Sequence, residues 1–277
     1  MGGGFVSRAL NLVPWCLRAQ IKRIPGVAPL QRVIVALTLD GREFEHEVDA
    51  GPAKGIRFLI RMPEDKGIWT GTYEADFATR LAAQVKPGSV AYDIGSWHGF
   101  FAGVMAAQGA AEVHVFEPLP DNANRIRQLV ALNPSKSITL HACAVGESDS
   151  EMDLMVMPST SMAKLESSTF QADETSGTRV RVNVRSIDRM IAAGELPPPW
   201  LMKIDVEGAE VMVLLGALQT IRRHRPLLFV EVHSADLLAQ CERLLGRDGY
   251  CIEHVDEDVA AARVRDVYQI KASPAKS

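Results

Sequence analysis

The sequence predicts an α/β fold: a doubly wound, mostly parallel sheet with an antiparallel C-terminal strand, plus an N-terminal helix and β-hairpin extension. Three observations carry this expectation. Short runs rich in Val, Ile and Leu alternate with helix-length segments from residue 89 to residue 247, as parallel strands covered on both faces require. The first of these runs ends in a loop with two glycines, VAYDIGSWHGF (90–100), and the second ends in Glu117. The last two strand-like runs, YCIEHV and RDVYQI, follow each other with no helical pattern between them, so that pair is expected to be antiparallel.

The elements follow in order. FVSRALNLVPWCLRAQIKR has apolar residues at helical spacing, and VIVALTLDGREFEHEV (33–48) alternates on both sides of Asp40-Gly41, a hairpin signal. A helix is expected over 73–85, broken by Lys86-Pro87-Gly88. SVAYDI is then a strand, GFFAGVMAAQGA a helix, EVHVFE a strand, 121–132 a helix and SITLHACAV a strand. EMDLMVM and RVRVNVRSI read as strands flanking a Ser/Thr-rich polar stretch (158–178), either a mobile loop over a site or an inert insertion. LMKIDV is a strand, 209–223 a helix, PLLFVEVH a strand and 235–247 a helix before the final strand pair. Residues 1–66 are assigned to the extension and 67–277 to the ligand-binding domain.

Composition narrows the class. The net charge of −4 over 277 residues gives no basic face for nucleic acid. Cys16, Cys143, Cys241 and Cys251 lie in no metal-ligand spacing, which fits free thiols in a reducing cytoplasm. No apolar run approaches the ~18–20 residues that span a bilayer. The N-terminal segment carries Arg8 within its apolar part and lacks a clear cleavage site, so it is a poor signal peptide. It reads as a helix packed on the protein, with peripheral membrane contact as the minority reading.

Ligands of open α/β sheets bind at strand carboxyl ends, where strand order reverses. The turn after SVAYDI is therefore the expected site. Gly95 and Gly99 are spaced GxxxG, and Trp97 stands where a dinucleotide loop needs a second glycine to approach a pyrophosphate. S-adenosyl-L-methionine has no pyrophosphate and suits a bulkier turn. Amides near Gly99 could hold its carboxylate, and Asp93, directly or through water, its ammonium. Glu117 is placed to accept from ribose hydroxyls, a feature shared with NAD, and Cys143-Ala144-Val145-Gly146 to lie beside the adenine.

TGTYEADF, VAYDIGSWHGFF, VHVFEPLPDN, HACAVG, LMKIDVEGAEVMVLLGA and RPLLFVEVH, in that order over 71–234, resemble the FkbM-type methyltransferases, within the class I S-adenosylmethionine-dependent group with its Rossmann-like sheet. KIDVEGAE followed by a helix and an acidic strand end is the most specific element. Where many relatives carry a small residue and Asn, this chain has Ser96 and Trp97-His98. The resemblance implies a cofactor site that includes Asp93, Gly95, Gly99 and Glu117, with Tyr73 and Glu74 in an approach segment. The full expected set is Tyr73, Glu74, Asp93, Gly95, Ser96, Gly99, Glu117, Ala144 and Asp205.

The reacting end is expected at the tips of LMKIDVEG and FVEVH, which deliver Lys203, Asp205, Glu207, Glu231 and His233. Methyl transfer to a hydroxyl is an in-line displacement that needs positioning and a base. Asp205, Glu231 and His233 are the catalytic candidates, with His233 the candidate base. Asp205 and Glu231 could equally bind cofactor or substrate. Glu207 could be a helix-start carboxylate sharing a face with Glu210. Asp205, Glu207, Glu231 and His233 could also hold a divalent metal. His98 is a base or a loop-packing residue, and His114 and His141 are core or face residues.

Pro197-Pro198-Pro199-Trp200 looks like the proline turn of amino-methylating enzymes but precedes the strand it should follow, and no Pro-Cys pair exists for cytosine chemistry. O-methylation remains, and the resemblance implies hydroxyls of sugars, polyketides or related metabolites. The alternatives are a binding or scaffold protein on a methyltransferase fold and, more weakly, a Rossmann oxidoreductase.

Overall fold

The structure, a computed structural model, describes residues 41–156, 163–165, 178–255 and 266–275. The expected N-terminal helix, the first hairpin strand and most of the polar 158–178 stretch lie outside the described residues. Among the described residues, no helix is long and apolar enough to cross a membrane.

Strands β1 (Glu43–Glu47) and β2 (Arg57–Arg61) pair antiparallel. Short helices α1 (Lys66–Thr70) and α2 (Ala75–Ala82) lead into β3 (Val90–Ile94), α3 (Phe100–Ala107), β4 (Glu112–Phe116), α4 (Pro120–Leu132) and β5 (Ile138–His141). Strands β6 (Ala144–Val145), β7 (Ser150–Val156), β8 (Ala163–Leu165) and β9 (Thr178–Arg185) precede α5 (Ile187–Ala192). The chain continues through β10 (Leu201–Ile204), α6 (Glu210–Gly216), α7 (Leu218–His224), β11 (Leu227–Val232), α8 (Ala235–Arg247), β12 (Tyr250–His254) and β13 (Tyr268–Pro274).

The central sheet has the order β12-β13-β11-β10-β3-β4-β5. Strands β5, β4, β3, β10 and β11 are parallel, and β13 runs antiparallel to both β11 and β12. The expected antiparallel end is therefore present, with β13 inserted between its neighbours. The chain builds outward from β3 through β4 and β5, then resumes on the other side with β10. The reversal lies between β3 and β10, whose carboxyl ends frame the crevice.

Helix α2 and strands β10 and β13 are offset by a few residues from expectation, and three further differences change the course of the chain. SITLHACAV is split: β5 joins the central sheet, while β6 joins a smaller sheet of order β6-β9-β7-β8. A tight turn, in which the Cys143 amide donates to the His141 carbonyl at 2.8 Å, redirects the chain between them. The alternation of RVRVNVRSI ends at Arg185, and Ile187 already begins α5. The helix expected over 209–223 breaks at Ala217, because Asp188 on α5 accepts from the Gln219 and Thr220 amides, both at 2.8 Å. The second segment thereby gains its own N-terminal acceptor.

Apolar residues form clusters on the two faces of the sheet. Ile56, Phe58 and Ile60 of the extension enter the same cluster as Phe100, Val104, Ile126 and Leu129. Polar clips complete this attachment. Asn133, after α4, accepts from the Arg57 amide at 3.0 Å and donates to the Arg57 and Leu129 carbonyls, both at 2.8 Å. Buried Asp65 accepts from the Arg61 amide at 2.8 Å and pairs with Arg125 of α4. Asn133→Ala leaves both polar groups of Arg57 without these partners, so unfolding in urea should show a loss of about 2 kcal/mol.

Candidate functional site

The loop after β3 is built on one carboxylate. Asp93 is fully buried, and its Oδ2 accepts from Ser96 Oγ at 2.5 Å and from the Ala102 amide at 3.0 Å. Ala102 is in the first turn of α3, so Asp93 supplies an acceptor to a helix N-terminus from across the loop. Its Oδ1 lies 3.6 Å from Lys203 Nζ. Lys203 on β10 is itself buried and donates to Gly95 O at 3.0 Å and Asp205 Oδ2 at 3.1 Å. Burial pushes the Asp93 carboxyl up, opposed by Lys203. Burial works against the Lys203 cation, but Asp205, Asp93 and Glu74 hold its pKa above the ordinary value.

Both loop glycines are needed by the protein's own packing. Gly95 has φ +74°, and a Cβ there would sit 1.7 Å from the Asp205 carbonyl oxygen. Gly99 has φ +84°, and a Cβ would sit 2.6 Å from Leu129 Cδ2. The expectation that these positions are bare for a ligand is thus sharpened: they let β3 and β10 close together and seat the loop on α4. Glu74 (φ 39°), Trp97 (φ 51°) and Glu207 (φ 52°) are non-glycine residues in the left-handed region, at a cost of about 1–2 kcal/mol each. Trp97 and Glu207 stand on the cleft wall, and Glu74 feels the charges of Asp205, Lys203 and Asp93 nearby.

An open cleft, about 820 Å³ with the solvent space at its mouth included, runs over the carboxyl ends of the strands. Its walls include Gly95, Trp97, Glu117, Pro118, Cys143, Ala144 and Val145, with Met152, Leu154, Val184 and Met212 from the smaller sheet and α6, and Asp205 and Glu207 at one end. Glu117 is 4% exposed and accepts from the Trp97 amide at 2.9 Å, the Leu119 amide at 3.0 Å and Asn122 Nδ2 at 3.3 Å. Burial nevertheless pushes its carboxyl up to about 7, against those donors.

Beyond Asp205 lies a cluster of carboxylates around one imidazole. His233 Nδ1 meets Glu210 Oε1 at 2.7 Å, and Glu210 is fully buried. Its Nε2 lies 3.3 Å from Glu207 Oε2 and 3.8 Å from both Asp205 Oδ1 and Glu231 Oε1. Gln269 of β13 donates to Glu231 Oε2 at 2.7 Å. Burial disfavours the imidazolium, yet Glu210, Asp205 and Glu207 raise His233 to about 9. Burial, with Asp205 adding repulsion, lifts Glu207 and Glu231 to about 7 each. Tyr73 bonds Glu74, and desolvation and then Asp205 raise the Glu74 carboxyl.

The structure brings Asp205, Glu231 and His233 together as expected, and Gly95, Glu117, Ala144 and Asp205 stand on the cleft walls. Tyr73, Glu74, Asp93, Ser96 and Gly99 do not. Asp93 and Ser96 are buried beneath the loop and bonded to each other, which fixes the loop's shape. His98 is also buried, stacked on Trp97 at 3.8 Å and edge-on to Tyr73, which is the loop-packing alternative. Burial, with Arg125 and Lys203 nearby, holds its pKa well below the ordinary value. His114 and His141 are hydrogen-bonded to each other at 3.1 Å on the far strands.

Sequence reasoning assigned no role to Lys203, Gln269 or the Glu210–His233 pair. Lys203 and Asp205 are two apart on one strand and so share a face, a signal that was available. Glu210 and Gln269 belong to other elements, and only the sheet order brings them to β11.

A buried carboxyl whose pKa is raised in the fold stabilises the protonated form. The sign is therefore a loss of stability as pH rises from the ordinary 4.5 to about 7, and no further loss above. Melting of the ligand-free protein and of Glu117→Gln should diverge across that window in favour of the variant, by at most about 3 kcal/mol.

Residues 89–252 match the family described as the methyltransferase FkbM domain. The chain is 31% identical over 164 residues to the hexuronic acid methyltransferase AglP of Haloferax volcanii, a match covering 58% of this chain and 63% of that protein. It thus spans less than two thirds of this relative's length. The crystal structure of methyltransferase FkbM from Methylobacillus flagellatus KT aligns with TM-score 0.46 and 23% identity over 67% of this chain and 43% of that one. A precorrin-6y C5,15-methyltransferase from Geobacter metallireducens aligns with TM-score 0.44 and 12% identity over 72% and 88%. The domain match begins past Tyr73 and Glu74, takes in Asp93, Glu117, Lys203, Asp205, Glu207, Glu231 and His233, and covers more than half of the sequence. This chain belongs to the FkbM methyltransferase family.

Proposed function

We propose that this protein transfers a methyl group from S-adenosyl-L-methionine to an oxygen, a hydroxyl of a sugar or related metabolite. The observation that carries the reading is the polarity of the cleft. Glu117 lies on one part of its wall, apolar side chains line the middle, and Asp205 and Glu207 stand at an end that opens onto the carboxylate–imidazole cluster. That donor set fits a molecule with a ribose diol, a flat purine and a cationic sulfur arm. A dinucleotide would bring its anionic pyrophosphate toward uncompensated carboxylates, which weighs against the oxidoreductase alternative.

In this reading Glu117 accepts from the ribose hydroxyls, using lone pairs left over from its three protein donors. Ala144 and Cys143 wall the purine, and Asp205 faces the cationic arm. When bound, the cofactor supplies an electrophilic methyl group. The protein's part is to place the acceptor oxygen and take its proton. His233 is positioned for this in its neutral form, reached once Nε2 has released the proton that the surrounding carboxylates favour: Glu210 holds Nδ1, and Nε2 lies 3.3 Å from Glu207 at the cleft end. The family assignment supports the methyl donor, and the relative that acts on a hexuronic acid supports a sugar acceptor.

S-adenosylmethionine or S-adenosylhomocysteine should raise the melting temperature while NAD leaves it unchanged. A rise with NAD alone would overturn the reading. With an acceptor found by screening with labelled methyl donor, His233→Ala should cut turnover about 100-fold or more while S-adenosylhomocysteine affinity stays within about threefold. Near-normal turnover would remove His233 from the chemistry.

A further inference from the structure

Three side chains at the tips of β10 and β11 share a pattern that taking one proton does not require. Each has one polar atom held by a neighbour and another directed into a common space. Asp205 Oδ2 is held by Lys203 at 3.1 Å, Glu231 Oε2 by Gln269 at 2.7 Å and His233 Nδ1 by Glu210 at 2.7 Å. The remaining atoms, Asp205 Oδ1, Glu231 Oε1 and His233 Nε2, converge: Nε2 is 3.8 Å from each oxygen, and one donor atom from each residue lies within 4.8 Å of the others. Metal-binding histidines and carboxylates are commonly oriented in this way, the second atom of each ligand being fixed by a hydrogen bond.

We propose that Asp205, Glu231 and His233 bind a divalent cation, Mg²⁺ or Mn²⁺, at the end of the cleft where the acceptor enters. Two carboxylate oxygens and one imidazole form a hard donor set suited to these ions. Donors about 2.1 Å from an ion lie about 3.0–3.4 Å apart at neighbouring positions, so separations of 3.8 Å and of at most 4.8 Å close on an ion with side-chain movements of up to about 1 Å each. The surroundings are short of positive charge. Glu207 lies 3.3 Å from Nε2, and the nearest lysine, Lys203, is already engaged by Gly95 O, Asp205 and Asp93. Glu210 Oε2 is buried with no hydrogen-bond partner, a further mark of excess negative charge at the base of the cluster. Three protein ligands leave coordination positions open toward the cleft, where acceptor oxygens can enter. With the ion bound, His233 serves as a ligand rather than as the base; contact with the cation would acidify the acceptor hydroxyl, whose proton passes to solvent water as its oxygen takes the methyl group and the sulfur leaves as the neutral thioether. That role rests on the methyltransferase reading; the ion site itself does not.

The test is titration of the whole chain, stripped with EDTA and dialysed, with Mn²⁺, followed by the EPR signal of free ion. One Mn²⁺ per chain is expected, with affinity at least tenfold weaker in Asp205→Asn and in Glu231→Gln. Glu231 is absent from the cleft walls, so the thermal shift of Glu231→Gln with S-adenosylhomocysteine reports whether that variant is folded. No stoichiometric Mn²⁺ binding, or binding equal in wild type and a folded Glu231→Gln, overturns the ion site. If S-adenosylhomocysteine still binds in that case, the proposed function stands with His233 as base. Mn²⁺ binding that depends on these residues, without any S-adenosylhomocysteine binding, upholds the ion site while the proposed function falls.

Discussion

The site depends on the buried contact between Asp93 and Lys203. An isolated carboxylate or ammonium at these depths would lose far more in hydration than packing returns, so each is tolerable only with the other and its hydrogen-bond partners. Asp93 spends one oxygen on Ser96 and on the first turn of α3, and turns the other to Lys203. Lys203 in turn binds the backbone of the β3 loop and the side chain of Asp205. Two central strands, one loop and one helix start are thereby locked around a single pair of opposite charges. Gly95 allows the closeness, since any side chain there would overlap the Asp205 carbonyl.

That lock sets the polarity of everything above it. Because Lys203 is consumed below, Glu207 on the cleft wall and Glu231 behind it meet little positive charge beyond the imidazole of His233. Burial, with repulsion from Asp205 added, raises the carboxyls of Glu74, Glu207 and Glu231, while the carboxylates around His233 raise its pKa against burial. A cleft with this charge favours cations and hydroxyl-bearing molecules and resists phosphates. Left-handed backbone at Trp97 and Glu207 places strain in two residues of the cleft wall.

Much of the fold was legible because apolar periodicity reports burial directly. The parallel strands from SVAYDI to PLLFVEVH and the antiparallel ending follow from it, and α8 was placed to the residue. The errors share a cause. SITLHACAV and the 209–223 helix each look continuous locally, and each is divided by a contact from another element: a sheet change at Cys143 and the Asp188 side chain at Thr220. β2 escaped notice because RFLIR is only five residues long, although Gly51-Pro52 and Gly55 mark the turn before it.

For the site, the one-dimensional pattern was enough to place acidic tips on β4, β10 and β11 and glycines after β3, because strand ends and alternation are properties of the chain itself. It could not say which carboxylates touch the ligand and which support it. Asp93 and Glu117 look equivalent in sequence, each an acid at a strand end, yet one lies sealed under its loop and the other stands on the cleft wall. The pairing of Glu210 with His233, the hold of Gln269 on Glu231 and the burial of His98 are likewise decided by the order β13-β11-β10-β3 and by how the helices seat on it. Hydrogen bonds and desolvation depend on distances between residues far apart in the chain, and only the packed sheet sets those distances.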